Sequence, residues 1–323
     1  MFHLNFKPET SSVKINHQQG ILFIGSCFSE HISNKLFDLK FHSLSNPLGI
    51  VFNPKSIYKT LLNAIHQTKI SDLHFIQREN HWFCLEAHSK LFSNQKLTLV
   101  NDLSKKISEW QNQLKSAKWL VITFGSAYCY EYIKTKSIIS NCQKISSNEF
   151  NKQLLSSFEI VSDFDFLIHE LKKMNPNLNI IFSVSPVKHL RDGMIENTLS
   201  KSILIQSVHS LIGKHFNCFY FPSYELITDD LRDYRFYKED MAHPNRQAID
   251  YVFEKFSDVY FTTETKKINE QLSEINSAYQ HQALNVDSTS YKVFKQNFLL
   301  KCERLLNQYP FLDLQKELNY FSN

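Results

Sequence analysis

Glycine is scarce. The 323 residues contain six, where an average soluble chain of that length carries roughly 22. Each glycine is therefore read as needed where it stands, and four of them, Gly25, Gly49, Gly125 and Gly193, fall inside the motifs described below. Excess charge is also lacking: 36 Lys and Arg against 32 Asp and Glu leave +4, too little to point to nucleic acid or another polyanion by charge alone. No stretch approaches about eighteen uninterrupted apolar residues, and residues 1–20 hold no apolar signal-peptide core. Neither a membrane span nor a secretory leader is expected, and the cytoplasm is the default location. The six cysteines (Cys27, Cys84, Cys129, Cys142, Cys218, Cys302) form no C-x-x-C pair and sit mostly within apolar runs, so they read as reduced, buried thiols.

What is present is a core. Apolar content of 42% and aromatic content of 14% exclude disorder as the main state. Four short apolar runs, Ile21 to Ile24, Trp119 to Phe124, Asn179 to Val184 and Cys218 to Phe221, read as buried strands. Between them Phe28 to Leu39, Leu97 to Leu114, Phe150 to Met174 and Met194 to Phe216 have helical period, the alternation of a parallel sheet covered on both faces. Ser146-Ser147-Asn148-Glu149 has capping-box spacing, and Asn175-Pro176 ends the helix that follows. His74 to Glu86 and Tyr128 to Ile139 read as hairpins projecting from the sheet's loops. After about Thr262 the strand signals stop and Glu264 to His281, Tyr291 to Gln308 and Phe311 to Phe321 read as helices, so the chain divides into a main domain over 1–262 and a helical extension over 263–323.

In a parallel sheet the chemistry belongs to loops at the carboxyl ends of strands. Gly25-Ser26-Cys27-Phe28 follows the first run: glycine turns the chain out of the strand and Ser26 then stands at a helix N-terminus, where dipole and free N–H groups suit a developing oxyanion. An isolated Gly-Ser there is more often only an N-cap. Asp240 and His243, three apart, place a carboxylate where it can hold Nδ1 of the imidazole and leave Nε2 to deprotonate a serine; the structural alternative is a helix start at Pro244, capped by one of the pair. Cys27 beside Ser26 reads as packing with Phe28 rather than as a nucleophile. His189, near Lys188 and Arg191, is either an anion-binding or basic group or a loop-ordering one. Asp229 to Arg235 reads as a salt-bridged turn, and His74, His81 and His88 have no metal-ligand spacing and read as solvated or cleft-lining.

Taken together these pieces resemble a known family. Nucleophile first, glycine loops next and Asp-x-x-His near the end is the order of SGNH (GDSL-like) hydrolases. The closer similarity is to the GSCFA family, carried by Gly25-Ser26-Cys27-Phe28-Ser29, with Ser29 in place of the motif's Ala. It runs on through the segment Asn46 to Pro54, through Thr123 to Ala127, through Val184 to Gly193 and through Tyr224-Glu225 to Asp240-Met241-Ala242-His243-Pro244. The resemblance implies a flavodoxin-like three-layer α/β fold, doubly wound on a parallel sheet, in which Ser26 is nucleophile, His243 base and Asp240 the orienting acid of an esterase or acyl hydrolase that needs no metal or cofactor. It further implies oxyanion donors from the amides of Ser26 and Gly49 and from an Asn in a Gly-x-Asn block. Here that block is Gly125-Ser126-Ala127, so the third donor falls to the Ser126 hydroxyl or to Asn46; loss of one such donor costs about 10² to 10³ in rate.

The expected substrate is a small-molecule or glycan ester, with a small acyl group such as acetyl on a carbohydrate or related polar alcohol; Trp82, Phe83, Tyr128, Tyr130 and Tyr132 would suit a sugar ring. No nucleic-acid or membrane partner is expected. A second hypothesis is a weak or inactive binding module that keeps the Ser-His-Asp framework without the Asn donor.

Overall fold

The computed structural model describes residues 3–281 and 288–322. Five strands, β1 (Ile21–Gly25), β2 (Ser43–Ser45), β3 (Trp119–Phe124), β4 (Asn179–Val184) and β5 (Cys218–Tyr220), pair in parallel in the order β2-β1-β3-β4-β5. Side chains alternate across a strand. Leu22 and Ile24 of β1 enter one apolar core, and Ile21 and Phe23 enter the other. Leu120, Ile122 and Phe124 of β3 oppose Trp119 and Val121 in the same way. A run apolar at every position is what a sheet covered on both faces requires.

Helix α1 (Cys27–Asp38) lies on one face, and α2 (Pro54–His66), α3 (Lys96–Ser116), α4 (Ser157–Met174) and α5 (Met194–Lys214) lie on the other. The layer of α1 is completed by α6 (Arg246–Tyr260), α7 (Thr263–Tyr279), α8 (Thr289–Gln308) and α9 (Gln315–Ser322). The C-terminal helices are therefore part of a shared core: Ile268, Leu272, Cys302, Leu305 and Phe321 pack with Phe28 and Ile32 of α1. Among the described residues no helix is long and apolar enough to cross a membrane.

Two local expectations are overturned. Residues Phe150–Leu154 are not helix but a strand, antiparallel to Tyr128–Tyr132 over five residue pairs. A ladder to a partner some twenty positions away outweighs the weak local preference of a short polar segment. The capping box of α4 is correspondingly Ser156 to Glu159, with Ser156 Oγ accepting from the Glu159 amide at 3.3 Å and the Glu159 carboxylate from the Ser156 amide at 2.8 Å. The same S-x-x-E spacing at Ser146 makes no side-chain cap and precedes a single 3₁₀ turn. Helix α2 has no counterpart among the periodic segments; Pro54 opens it and Asn53 Oδ1 caps it by accepting from the Ser56 amide at 2.8 Å.

Both insertions are three-stranded. The first comprises Phe75–Arg78, His81–Cys84 and Phe92–Ser93; the second comprises Tyr128–Tyr132, Ser137–Ile139 and Phe150–Leu154. All six cysteines are free, as expected, but Cys27 and Cys142 are only half-buried, because one starts a helix at the sheet's carboxyl edge and the other lies in the loop between the last two strands of the second insertion.

Candidate active site

The sheet order reverses between β1 and β3, so the loops leaving these strands diverge and open a crevice beyond their carboxyl ends. Gly25-Ser26 leaves β1 there and Gly125-Ser126 leaves β3. Gly25 has φ +146°, and a Cβ on it would stand 2.2 Å from the Thr123 carbonyl oxygen; only glycine fits so close a strand crossing. Its N–H donates to Asn46 Oδ1 at 2.8 Å. Ser26 occupies the N-cap position of α1, yet its side chain caps nothing. Its Oγ is buried and has no hydrogen-bond partner, His243 included. A buried polar atom left unsatisfied costs about 1–3 kcal/mol, and such an atom calls for a functional or structural reason. The capping explanation supplies none.

In the loop before α6, Asp240 and His243 form a closed unit. Asp240 Oδ1 accepts from the amides of Ala242 and His243, each at 2.9 Å, and Oδ2 lies 2.7 Å from His243 Nδ1. The His243 amide, then the Ala242 amide and the imidazole, hold the Asp240 carboxyl down at about 2 from its ordinary 3.8. An ionised carboxylate on Nδ1 fixes that nitrogen as the protonated one and leaves Nε2 with its lone pair. The alternative helix-start role fails as well: α6 is capped by Asn245 Oδ1, which accepts from Ala248 at 3.1 Å. The loop is fastened by the Lys188 amide donating to the Ala242 carbonyl at 3.0 Å and the Lys238 amide to the His243 carbonyl at 2.8 Å. His243 lies within electrostatic reach of His31 and His189.

The expected oxyanion donors are engaged elsewhere. The Ser26 amide donates to Thr123 O (3.2 Å), Gly49 to Asn46 O (2.9 Å), Gly125 to Phe52 O (2.7 Å) and Ser126 to Phe52 O (3.2 Å). Asn46 is a brace rather than a free donor, because besides Gly25 its Nδ2 donates to Glu30 at 3.2 Å. The Ser126 hydroxyl accepts from the Tyr128 amide at 3.1 Å and lies 3.3 Å from Ser200 Oγ. The N–H groups of Cys27 and Phe28, at the start of α1, point instead at the Cys27 sulfur, whose thiol is raised by burial and by Glu30. Cys27 is thus a half-exposed, protonated thiol, not a core residue.

His189 orders its loop through its amide, which donates to Asn197 Oδ1 at 2.9 Å, while its buried Nε2 has no partner. Burial, with Lys201 nearby, lowers its pKa to about 4, so the ring is neutral near pH 7. Lys201 itself escaped the sequence reading. It is fully buried, and Nζ donates to the Gly125 carbonyl at 2.5 Å and the Ser185 carbonyl at 2.7 Å, tying the loops after β3 and β4 together. The available signal was its spacing, since it occupies the buried stripe Asn197, Lys201, Leu204, Val208, Leu211 of α5, where a lysine without a function is rare.

Beside these loops lies a cavity of about 600 Å³ whose lining includes Phe52, Ser126 and His189, but neither Ser26 nor His243. Of the aromatic residues expected to meet a sugar, Tyr128 and Tyr130 line it. Tyr132 is buried against Phe150, Trp82 packs on the main core and Phe83 borders a smaller cavity. His74 is not solvated but buried, 2.5 Å from Glu86. In the charged run, Asp233 pairs with Arg235, whereas Asp230 turns inward to Tyr251 and the Phe6 amide. Among the described residues no three His, Cys, Asp or Glu side chains converge to hold a metal ion.

Comparison with protein families matches residues 20–256 to the GSCFA family and residues 272–323 to the GSCFA domain protein, C-terminal domain. The chain belongs to the GSCFA family. No curated protein matches it.

Proposed function

We propose that this member of the GSCFA family is a serine acyl hydrolase of the SGNH type, in which Ser26 attacks an ester, His243 moves the proton and Asp240 orients His243. The observation that carries the reading is an unengaged, buried hydroxyl at the N-terminus of α1 together with a preformed Asp-His unit whose imidazole is within electrostatic reach of His31 on the same helix. The strand order β2-β1-β3-β4-β5 supports it, being the flavodoxin-like order with a ligand crevice between the first and third strands.

In this reading Ser26 Oγ turns to His243 Nε2, gives up its proton and bonds to the acyl carbon; the alcohol leaves with that proton, and water then releases the acid by the same route. Catalytic hydrogen bonds often close only with substrate bound. With the expected amides engaged, the oxyanion falls to the N–H groups of Cys27 and Phe28 at the positive end of α1, which exchange the Cys27 sulfur for it when substrate binds. The substrate class is a small acyl ester of a carbohydrate or polar alcohol.

A second reading, a binding module without turnover, is favoured by one observation: the Ser26 and Gly49 amides expected to serve the oxyanion are both committed within the fold. Pre-steady-state hydrolysis of p-nitrophenyl acetate separates the two. The hydrolase gives a burst stoichiometric with protein that Ser26→Ala abolishes; release at the rate of free imidazole, unchanged in Ser26→Ala, rejects it.

A further inference from the structure

The second insertion encloses more than the proposed catalytic residues require. The cavity of about 600 Å³ has Tyr128, Tyr130 and Phe52 among its walls, with His189 and Ser126 also in its lining and the turn Gln143-Lys144 at its border with the smaller cavity. Four cationic or anionic side chains line it: Lys144, Lys152, Arg191 and Asp192. Lys152 is paired with Asp192 at 2.5 Å and lies 4.1 Å above the Tyr128 ring. That leaves Arg191 and Lys144, both exposed, without a carboxylate partner among the described residues. Arg191 stands near enough to Tyr130 and Cys142 for its charge to act on both. The hydroxyls of Tyr128 and Tyr130 have no hydrogen-bond partner among the described residues, so the wall offers donors as well as ring faces.

The backbone adds an independent argument. Gln143 and Lys144 are consecutive non-glycine residues in the left-handed region, at φ 50° and 58°. Such conformations persist only where the surroundings enforce them, and they gather at binding and catalytic sites. Here the enforcement is explicit: the Gln143 amide donates to Asn141 Oδ1 at 2.8 Å, its Nε2 donates to the carbonyls of Cys84 and Ala87 at 2.7 Å each, and Arg78 donates to its carbonyl. Contacts from both insertions thus hold a strained turn whose outward product is the position of Lys144.

We propose that this cavity is a subsite for a hydroxylated ring bearing a phosphate or carboxylate group, with the anion held by Arg191 and Lys144 and the ring against Tyr128 and Tyr130. Its role as the alcohol subsite of the ester rests on the hydrolase reading; the binding does not. An exposed guanidinium and ammonium lining one cavity offer an anion charge-assisted hydrogen bonds, and the tyrosine hydroxyls with the Tyr130 ring suit a polyol ring.

The test is calorimetric titration of the full chain, and of its Ser26→Ala form, with glucose 6-phosphate, glucuronate and glucose. Saturable binding of at least one anionic sugar, at least tenfold tighter than glucose and weakened at least tenfold in Arg191→Gln/Lys144→Gln but not in Lys105→Gln on α3, is expected. The two anionic probes distinguish phosphate from carboxylate. Absence of saturable binding, equal affinity for glucose, or unchanged affinity in the double variant overturns the proposal. Unaltered melting of the double variant guards against misfolding, and charge removal at Arg191 alone, whose side chain makes no ion pair among the described residues, provides the same readout if Lys144→Gln unsettles its turn. Binding without any acetate burst retains the subsite and rejects the hydrolase; a burst without binding does the reverse.

Discussion

The two halves of the candidate site are built by opposite means. On the His243 side, three contacts within four residues, all between 2.7 and 2.9 Å, assemble an exposed Asp-His pair that depends on almost nothing distant. On the Ser26 side, a buried turn is fixed by groups remote in sequence: Asn46 holds Gly25, Thr123 holds the Ser26 amide, and Lys201 ties Gly125 to Ser185. Changes at the first side should leave the fold standing, whereas changes to the braces of the second should disturb it, so function and stability separate in one and merge in the other.

The sharpest break between them lies at Asp240. Asp240→Asn should lower turnover of an active ester about 10³- to 10⁴-fold by permitting the wrong imidazole tautomer, with little change in melting temperature. His243→Ala should lose at least as much, and the double variant scarcely more, since residues acting as one unit are not additive. Near-normal turnover in Asp240→Asn removes Asp240 from the mechanism. Acidification should act here too. The Asp240 carboxyl is depressed from 3.8 to about 2, so its stabilising contribution is present above about pH 4 and disappears as pH falls through 2.

On the buried side the largest expected effect is at Lys201. Burial lowers its pKa from 10.5 to about 7, while its two carbonyl acceptors favour the charged form. Between those values the folded chain binds fewer protons than the unfolded chain, so stability contributed by this site rises with pH from 7 to 10.5. Urea midpoints of the wild type minus those of Lys201→Met should therefore increase across that window; a flat difference contradicts a lysine whose burial outweighs its two carbonyl contacts. Asn46→Ala strands the Gly25 amide and should cost about 1–3 kcal/mol in unfolding free energy, with activity falling in step. Smallest is Ser156→Ala, which removes the α4 cap for about 1 kcal/mol and leaves turnover unchanged.

What the sequence discloses follows the same division. The Asp-x-x-His unit, the apolar strands and the Gly25-Ser26 turn are legible because spacing or local sterics alone define them. The brace at Asn46, the engaged amides and the pairing of Phe150–Leu154 depend on chain segments meeting in space. The misassigned capping box shows the limit within one segment: Ser146 and Ser156 carry the same spacing, and only the ladder to Tyr128–Tyr132 decides which of them begins the helix. Lys201 was concealed differently, as a charge inside an apolar stripe whose partners are carbonyl groups that no side-chain pattern records.

The central claim is that Ser26 is an activated nucleophile and Cys27 is not. Labelling with a fluorophosphonate probe, followed by mass mapping of the modified peptide, tests it most directly. The account predicts one adduct, on Ser26, lost in Ser26→Ala and retained in Cys27→Ala. An unlabelled chain, or a label that survives Ser26→Ala and vanishes in Cys27→Ala, contradicts it.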